Sequence, residues 1–150
     1  MITLKTSNTN KDILIDDRNY DRLKHLKIRD KGRSLCVTGN QIDISLSKII
    51  LLTDAEVVDH IDRNYLNCQI DNLRPCTIIQ NSYNRKKRKW TSSKYKGVSW
   101  HKYRNKWQAY ISVDKKRIWL GNFQREVDAA ETYNEAAIKY HGEFAKLNII

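Results

Sequence analysis

Apolar residues in the first third of the chain recur only over short stretches, so the elements predicted there are small. Tyr20, Leu23 and Leu26 have the spacing of one buried stripe on a short helix, which would open at Asp16 and Asp17. Apolar and polar residues alternate further along, and they predict two short antiparallel strands at residues 35–37 and 42–46. These elements indicate a small scaffold.

The middle of the chain predicts two strands with a polar loop between them. The first strand begins at Val57 and ends at the polar pair Asp59 and His60. The second covers residues 73–76, and Pro75 confines it to an edge or an end of a sheet.

A helix is predicted directly after the second strand. The side chains of Thr77 and Gln80 have the spacing of a capping box, in which each satisfies a free backbone N–H group at a helix start. Asn81 would then lie near the end of the first turn, where a side chain can face the strand that carries Asp59 and His60. The segment therefore predicts a ββα unit.

The last third predicts three strands and one long helix. The strands are at residues 97–101, 106–113 and 117–122, and the helix is at residues 125–140. The second strand alternates, and its core-facing positions would be Trp107, Ala109, Ile111 and Val113. Small and aromatic residues form one stripe of the helix, at Ala130, Tyr133, Ala137 and Tyr140, and Gly142 is placed to end the helix.

These patterns predict an α+β protein built from small parts. The parts are a small N-terminal scaffold, the ββα module, a linker, and a three-stranded antiparallel sheet packed on one helix. We place them at residues 1–53, 54–84, 85–92 and 93–150. A chain of 150 residues is long enough for one ordinary domain or for two or three very small ones that share little core, and these patterns favour the second interpretation.

Positive charge is concentrated in one stretch of the chain. The sequence has 28 Lys and Arg residues against 17 Asp and Glu residues, a net charge of +11. The stretch from Arg85 to Arg117 holds 13 of those cations and a single acid, Asp114, so it carries the whole surplus. Such a concentration indicates a polyanionic partner, most simply the backbone of a nucleic acid. A DNA-contacting arm is accordingly the alternative interpretation of residues 1–53, although its cations are scattered.

Membrane insertion and structural zinc are disfavoured. No apolar run approaches the roughly 18 residues that a membrane span needs, and the first residues lack a signal-peptide pattern, so we expect a cytoplasmic protein. The three cysteines, Cys36, Cys68 and Cys76, contain no Cys-x-x-Cys pair, and we expect unpaired thiols.

Four side chains of the ββα segment have the chemistry of a nuclease. Asp59 and Asn81 supply a carboxylate and an amide oxygen, which suit a hard divalent cation. His60 can take a proton from water, and the Asn72 amide can orient its imidazole. The alternative is a chance Asp-His pair in a structural loop, which the two asparagines at matching spacings disfavour.

A run of five cations follows the module, and its members are Arg85, Lys86, Lys87, Arg88 and Lys89. The run could be a solvated linker, but its position between a nuclease-like module and a basic domain favours contact with phosphates. Arg117 and Trp119 share the outer face of the predicted sheet with Lys106 and Tyr110, and Arg can read base edges in the major groove. Trp119 could instead pack in the core.

The chain resembles two known families. Residues 57–84 resemble phage-type HNH homing endonucleases, whose ββα-metal module is matched by Val58-Asp59-His60-Ile61, Asp71-Asn72-Leu73-Arg74 and Gln80-Asn81-x-x-Asn84. Residues 93–148 resemble DNA-binding domains of the plant ethylene-response-factor kind. The matching motifs are Tyr95-Lys96-Gly97-Val98, Lys106-Trp107, Ile118-Trp119-Leu120-Gly121, Phe123, Ala129-Ala130 with Tyr133, and Leu147-Asn148.

The first resemblance implies that Asp59 and Asn81 bind one Mg²⁺ or Mn²⁺, that His60 is the general base and that Asn72 fixes its imidazole. The second implies a DNA-binding face made of Lys96, Ser99, His101, Lys106, Tyr110, Ser112, Arg117 and Trp119. Ser99, Tyr110 and Ser112 stand where plant proteins tend to carry charged readers, so the target sequence does not transfer. Ser47 replaces a histidine often seen upstream in the phage proteins.

The sequence therefore predicts a metal-dependent, homing-type DNA endonuclease that hydrolyses a phosphodiester in duplex DNA and reads its target with the C-terminal domain. It would act in the cytoplasm, as a phage protein in a bacterial host cell, and no obligate protein partner is evident. The alternatives are a non-catalytic, sequence-specific DNA-binding regulator that keeps the HNH module as a scaffold, and a basic RNA-associated protein.

Overall fold

The chain folds into two compact units. The computed structural model describes residues 2–39 and 42–150, and the units are Met1–Ile78 and Ile79–Ile150. The boundary falls at the start of a helix, ahead of Asn84, where we expected the nuclease module to end. Each unit has a hydrophobic core of its own.

The first unit contains seven strands, two α-helices and a short 3-10 helix (Ile70–Asn72) among its described residues, and the strands and α-helices are named as follows. They are β1 (Ile2–Lys5), β2 (Asp12–Ile15), α1 (Asp17–Leu23), β3 (Ile28–Asp30), β4 (Leu35–Gly39), β5 (Ile42–Ser45), α2 (Leu46–Leu51), β6 (Val57–His60) and β7 (Leu73–Cys76). The strands form three antiparallel sheets, β1-β2, β3-β4-β5 and β6-β7.

The predicted helix and strand pair of the first third are confirmed as α1, β4 and β5. The apolar side of β5 is not buried, however: Ile42 is 64% and Ile44 50% exposed. The expected second strand also ended one residue too late, because Leu46 is fully buried as the first residue of α2. The β1-β2 hairpin and α2 have apolar patterns too short for the sequence to predict them.

The N-terminal residues share a core with the strands that carry Asp59 and His60. Ile13, Ile15 and Leu23 pack in the same buried cluster as Val58 and Leu73. Burial of apolar side chains is the main stabilising contribution in such a cluster. This shared core supports the scaffold interpretation of residues 1–53.

The long loop between β6 and β7 is fastened to the same scaffold. The N–H groups of Leu14 and Cys68 donate to the carbonyl oxygens of Leu66 and Leu14, at 2.9 and 2.8 Å. The Asp16 carboxylate accepts from the N–H of Ile70 at 2.7 Å. The loop is therefore held both at the middle of β2 and just beyond its end.

The second unit consists of a short helix, a three-stranded sheet and a long helix. Its elements are α3 (Ile78–Tyr83, whose first residue belongs to the first unit), β8 (Val98–His101), β9 (Lys106–Val113), β10 (Lys116–Phe123) and α4 (Glu126–His141). The strands are antiparallel in the order β10-β9-β8.

The core of the second unit lies between this sheet and α4. Ala129, Ala130 and Ala137 are fully buried against sheet residues such as Ala109 and Ile111. Small side chains let the helix approach the sheet closely, as the sequence predicted. Tyr140 departs from the expected stripe, because it is exposed while the next residue, His141, is buried. Gly142 ends α4 as predicted.

Within residues 2–39 and 42–150, no helix is long and apolar enough to cross a bilayer.

Candidate nuclease site and sheet surface

Asp59 is a buried carboxylate that is paired with an arginine. It stands opposite Arg74 in the β6-β7 register and is only 4% exposed. Its Oδ2 atom accepts hydrogen bonds from Arg74 Nε at 2.9 Å and Nη2 at 2.6 Å. The two donors come from one planar guanidinium, and they fix the orientation of the carboxylate.

Sequence reasoning missed this role of Arg74, although a signal was present. Asp59 and Arg74 each lie near one end of a predicted strand, and an antiparallel pairing of the two strands sets them opposite each other. In the sequence analysis, Arg74 was named only as the last residue of the motif Asp71-Asn72-Leu73-Arg74.

His60 follows Asp59 and is half-buried. Burial lowers the pKa of its imidazole below the ordinary value, although the carboxylates of Asp62 and Asp59 act in the opposite direction. Its Nε2 atom lies 3.9 Å from the sulfur of Cys68, whose thiol pKa is raised to about 12 by burial. A neutral thiol beside a neutral imidazole leaves the histidine able to accept a proton at neutral pH.

The Asn72 amide binds the loop that follows His60. Its Oδ1 accepts from the N–H of Asp62 at 2.9 Å, and its Nδ2 donates to Asp62 Oδ1 at 2.9 Å and to the carbonyl oxygen of Asn67 at 2.8 Å. The expected partner of the Asn72 amide was the His60 imidazole, whereas these three bonds are made with Asp62 and Asn67.

Asp62 is the second residue near the site that sequence reasoning did not single out. Burial alone would raise the pKa of its carboxyl, but hydrogen bonds from the Asn64 N–H and the amides of Asn67 and Asn72 lower it. It stays ionised, and it is one of two negative charges that face His60.

Asn81 lies on α3, and α3 is anchored within the second unit. The ring of Tyr83 stacks on the ring of His141, with centroids 3.7 Å apart and an interplanar angle of 10°. The Tyr83 hydroxyl donates to Asp114 Oδ1 at 3.1 Å and accepts from the Asp114 N–H at 3.0 Å. Because Asp59 and Asn81 belong to different units, the ββα-metal arrangement stays a prediction.

Ser47, the position at which phage proteins often have a histidine, is buried at the start of α2. Its hydroxyl is 2.9 Å from that of Ser45.

Seven of the eight residues expected to face DNA lie on one face of the sheet. The strand registers pair His101 with Lys106, Arg117 with Ser112, and Trp119 with Tyr110. The residues of this sheet surface are Ser99, His101, Lys106, Tyr110, Ser112, Arg117 and Trp119. Lys96 precedes β8 instead, and its Nζ donates to the Tyr83 carbonyl oxygen at 2.5 Å.

An exposed indole and a stacked guanidinium distinguish the sheet surface. Trp119 is 56% exposed, so the alternative that it packs in the core is wrong. Arg117 lies over the Tyr110 ring, 3.8 Å from its centroid, which holds the guanidinium on the outer face. The basic run Arg85–Lys89 is exposed apart from the half-buried Lys87.

The donor set can accommodate a hard divalent cation. Carboxylate and amide oxygens are the preferred ligands of Mg²⁺, and a carboxylate has about four lone-pair sites, so Asp59 could bind a cation and Arg74 together. No cluster of three His, Cys, Asp or Glu side chains suited to a metal occurs in residues 2–39 and 42–150, and Cys36, Cys68 and Cys76 are buried thiols outside any disulfide.

Parts of the chain are similar to known proteins. The sequence model of the HNH endonuclease family matches residues 52–83. Protein 3.8 of Escherichia phage T7 is 34% identical over 91 residues, which cover 59% of this chain and 73% of that protein. An uncharacterised HNH endonuclease of Acanthamoeba polyphaga mimivirus is 41% identical over 93 residues, which cover 62% of this chain and 47% of the relative.

Plant proteins are also similar to part of the chain. The rice APETALA2-like protein 2 is 44% identical over 59 residues, which cover 38% of this chain but only 13% of the plant protein. The match thus concerns a small part of that relative.

Proposed function

The chain belongs to the HNH endonuclease family, and on this basis we propose that it is a homing-type enzyme that uses one Mg²⁺ or Mn²⁺ ion to hydrolyse a phosphodiester in duplex DNA. Asp59 and Asn81 are the proposed metal ligands, and His60 is the proposed general base. The observation that carries the proposal is the pair Asp59 and His60 at the end of β6, one fixed by Arg74 and the other with a lowered pKa.

His60 would remove the proton of the attacking water. Its neutral form has a lone pair for this proton, and the carboxylates of Asp59 and Asp62 would stabilise the imidazolium that results. Asn72 would position the loop that carries Asp62. A cation held by Asp59 and Asn81 would offset the charge that grows on the phosphate and stabilise the leaving 3′ oxygen.

Residues 93–150 would read the target as a DNA-binding domain of the ethylene-response-factor kind. The sheet surface carries Arg117, Trp119, Lys106 and His101 on one face, and a sheet laid in the major groove can present such residues to base edges. Partial similarity to plant APETALA2-like proteins supports this proposal. We also propose that the enzyme acts in the cytoplasm of a bacterium infected by a phage, which the similarity to the phage T7 protein supports.

Nicking of supercoiled plasmid DNA tests the proposal. We expect cutting with Mg²⁺ or Mn²⁺ and none after exhaustive chelation, with Asp59→Ala as the control for contaminating nucleases. Cutting that continues after chelation would contradict the metal-dependent mechanism. Tight DNA binding without cutting under any divalent cation would favour the alternative, a DNA-binding regulator that keeps the module as a scaffold.

A further inference from the structure

A concave site in the second unit is lined by five lysines. Lys86, Lys87, Lys94, Lys96 and Lys146 surround a cavity of about 300 Å³, and none of its nine lining residues is acidic. Only Lys86, Lys87 and Lys96 were expected to contact DNA. Neither Lys94 nor Lys146 belongs to the basic run or to the sheet surface.

The walls of this lysine pocket are fixed by hydrogen bonds of the backbone. Asn148 binds both backbone groups of Lys96: its Oδ1 accepts from the N–H at 2.6 Å, and its Nδ2 donates to the carbonyl oxygen at 3.1 Å. Asn148 is itself held by Asn134 of α4 through two bonds of 2.7 and 3.0 Å. The chain before β8 and the chain after α4 are therefore joined side by side.

Two lysines of the pocket are also tied to the fold. The Nζ of Lys96 donates to the Tyr83 carbonyl oxygen, and the Nζ of Lys94 lies 4.9 Å from the centroid of the Tyr95 ring. The Lys94 N–H donates to Glu126 Oε1, which also accepts from the Ser93 hydroxyl. Glu126 thus binds the backbone beside the pocket and is not one of its lining residues.

We propose that the lysine pocket binds one phosphate group of the DNA backbone beside the segment that the sheet surface reads. Several like charges around one cavity repel each other, and an anion with several acceptor oxygens relieves that repulsion. A DNA strand is the polyanion that the proposed function supplies, and this inference rests on that function. The site adds Lys94 and Lys146 to the binding residues and gives Lys96 a role apart from the sheet surface.

The salt dependence of duplex binding tests the site. We would measure the affinity of the full chain and of Lys94→Gln, Lys146→Gln and the double variant for one duplex across a salt series. Removal of one phosphate contact lowers the slope of log affinity against log salt by about 0.9. Both lysines would bind the same phosphate, so we expect the loss of either one to remove that contact and to lower the slope by about 0.9. The double variant loses the same single contact, so its slope should also fall by about 0.9 and not by about 1.8.

Lys139→Gln is the matched control, because Lys139 is an exposed lysine of α4 that also lies over an aromatic ring, that of Tyr140. We expect its slope to equal that of the parent, and thermal melting would verify that each variant is folded. Lys94→Gln alone keeps the test decisive if Lys146→Gln does not fold.

Three results would overturn the inference. They are unchanged slopes in the Lys94 variants, an equal fall in slope for Lys139→Gln, and a fall of about 1.8 in the double variant, which indicates two independent contacts. If the parent binds and cuts DNA in these cases, the proposed function stands while the pocket fails. If the parent binds no duplex, both fail.

Discussion

At the scale of single residues, the candidate nuclease site depends on the buried pair of Asp59 and Arg74. The guanidinium offsets the charge of the buried carboxylate and holds it in one orientation. A buried ion pair of this kind contributes little net stability, but removal of one partner leaves the other charge without compensation. In the proposed metal-binding role, Asp59 would bind the cation and Arg74 together.

Arg74→Ala should destabilise the first unit by about 3 kcal/mol, because it leaves a buried carboxylate without its arginine. Asp59→Asn in the same background should recover part of that stability. Urea unfolding of the parent, both single variants and the double variant, with chelator present, measures the coupling. Strictly additive effects would show that the two side chains do not stabilise each other.

The sequence was sufficient to predict candidate residues of the nuclease site, but not which groups their side chains contact. Asp59 and His60 could be identified because their chemistry and spacing are specific. The partners of Asn72 could not, because they depend on the path of the loop from Ile61 to Asp71, which lacks a periodic pattern. The sequence thus identified Asn72 as a candidate site residue, but not the bonds of its amide to Asp62 and Asn67.

At the scale of elements, the alternation of apolar and polar residues was the most reliable predictor of strands. β9 separates core and surface positions as predicted, since one face of it packs against α4 and the other is open. β5 shows the limit of that signal: its alternating isoleucines predicted the strand but not its exposed face. Alternation reports the period of the backbone, whereas burial depends on which elements cover the strand.

Gly97 is a position where the fold tolerates no side chain. Its φ is +78°, and a Cβ atom there would lie 2.0 Å from Cδ2 of Tyr133 and 2.7 Å from the carbonyl oxygen of Tyr110. Gly97→Ala should therefore destabilise the second unit by about 3 kcal/mol or more. Gly32→Ala is the control, because it has a similar φ of +83° but open space around it, and it should cost about 1 kcal/mol. Equal destabilisation in thermal unfolding would contradict a steric role for Gly97.

The stack of Tyr83 on His141 predicts a pH dependence of stability. Burial is the main reason that the His141 pKa is lowered from 6.5; Lys96 lowers it further, while the Ser112 carbonyl and Asp114 raise it. The unfolded state therefore binds the proton more readily, so this contribution to stability is present above pH 6.5 and is lost as the pH falls through the folded pKa.

Denaturant unfolding measured from about pH 7.5 down to about pH 5, a range that brackets the ordinary histidine pKa, should show a smaller change with pH for His141→Gln than for the parent. His60 titrates in both proteins, so the difference between them isolates His141. Parallel pH curves would show that the protonation of His141 is not coupled to folding.

At the scale of the whole molecule, one stretch of the chain carries both the surplus of positive charge and Arg117, the residue proposed to read a base. The stretch from Arg85 to Arg117 carries the whole surplus of positive charge. Within it, the basic run Arg85–Lys89 is suited to phosphate contact, whereas Arg117 is stacked on Tyr110 on the sheet surface. The charge map was fully available from the sequence, but the stack depends on the register of β9 and β10.

Replacing the five cations of the basic run by glutamine should weaken binding to all duplexes alike and lower the salt slope by about 0.9 for each phosphate interaction removed. Arg117→Ala should cost about 1–3 kcal/mol on the preferred site and relax the preference at one base pair. Affinities for preferred and scrambled duplexes across a salt series compare the two variants. An equal decrease on both sequences for Arg117→Ala would assign Arg117 to phosphate binding.

We propose that His60 drives hydrolysis while other residues provide DNA affinity. Single-turnover cleavage and equilibrium binding, measured on the same duplex for the parent and His60→Ala, separate the two contributions. We expect cleavage to fall by about 10²–10⁴-fold while affinity stays unchanged. Cleavage by His60→Ala at the parental rate would rule out His60 as the general base, because the proton of the attacking water would then be removed by another group.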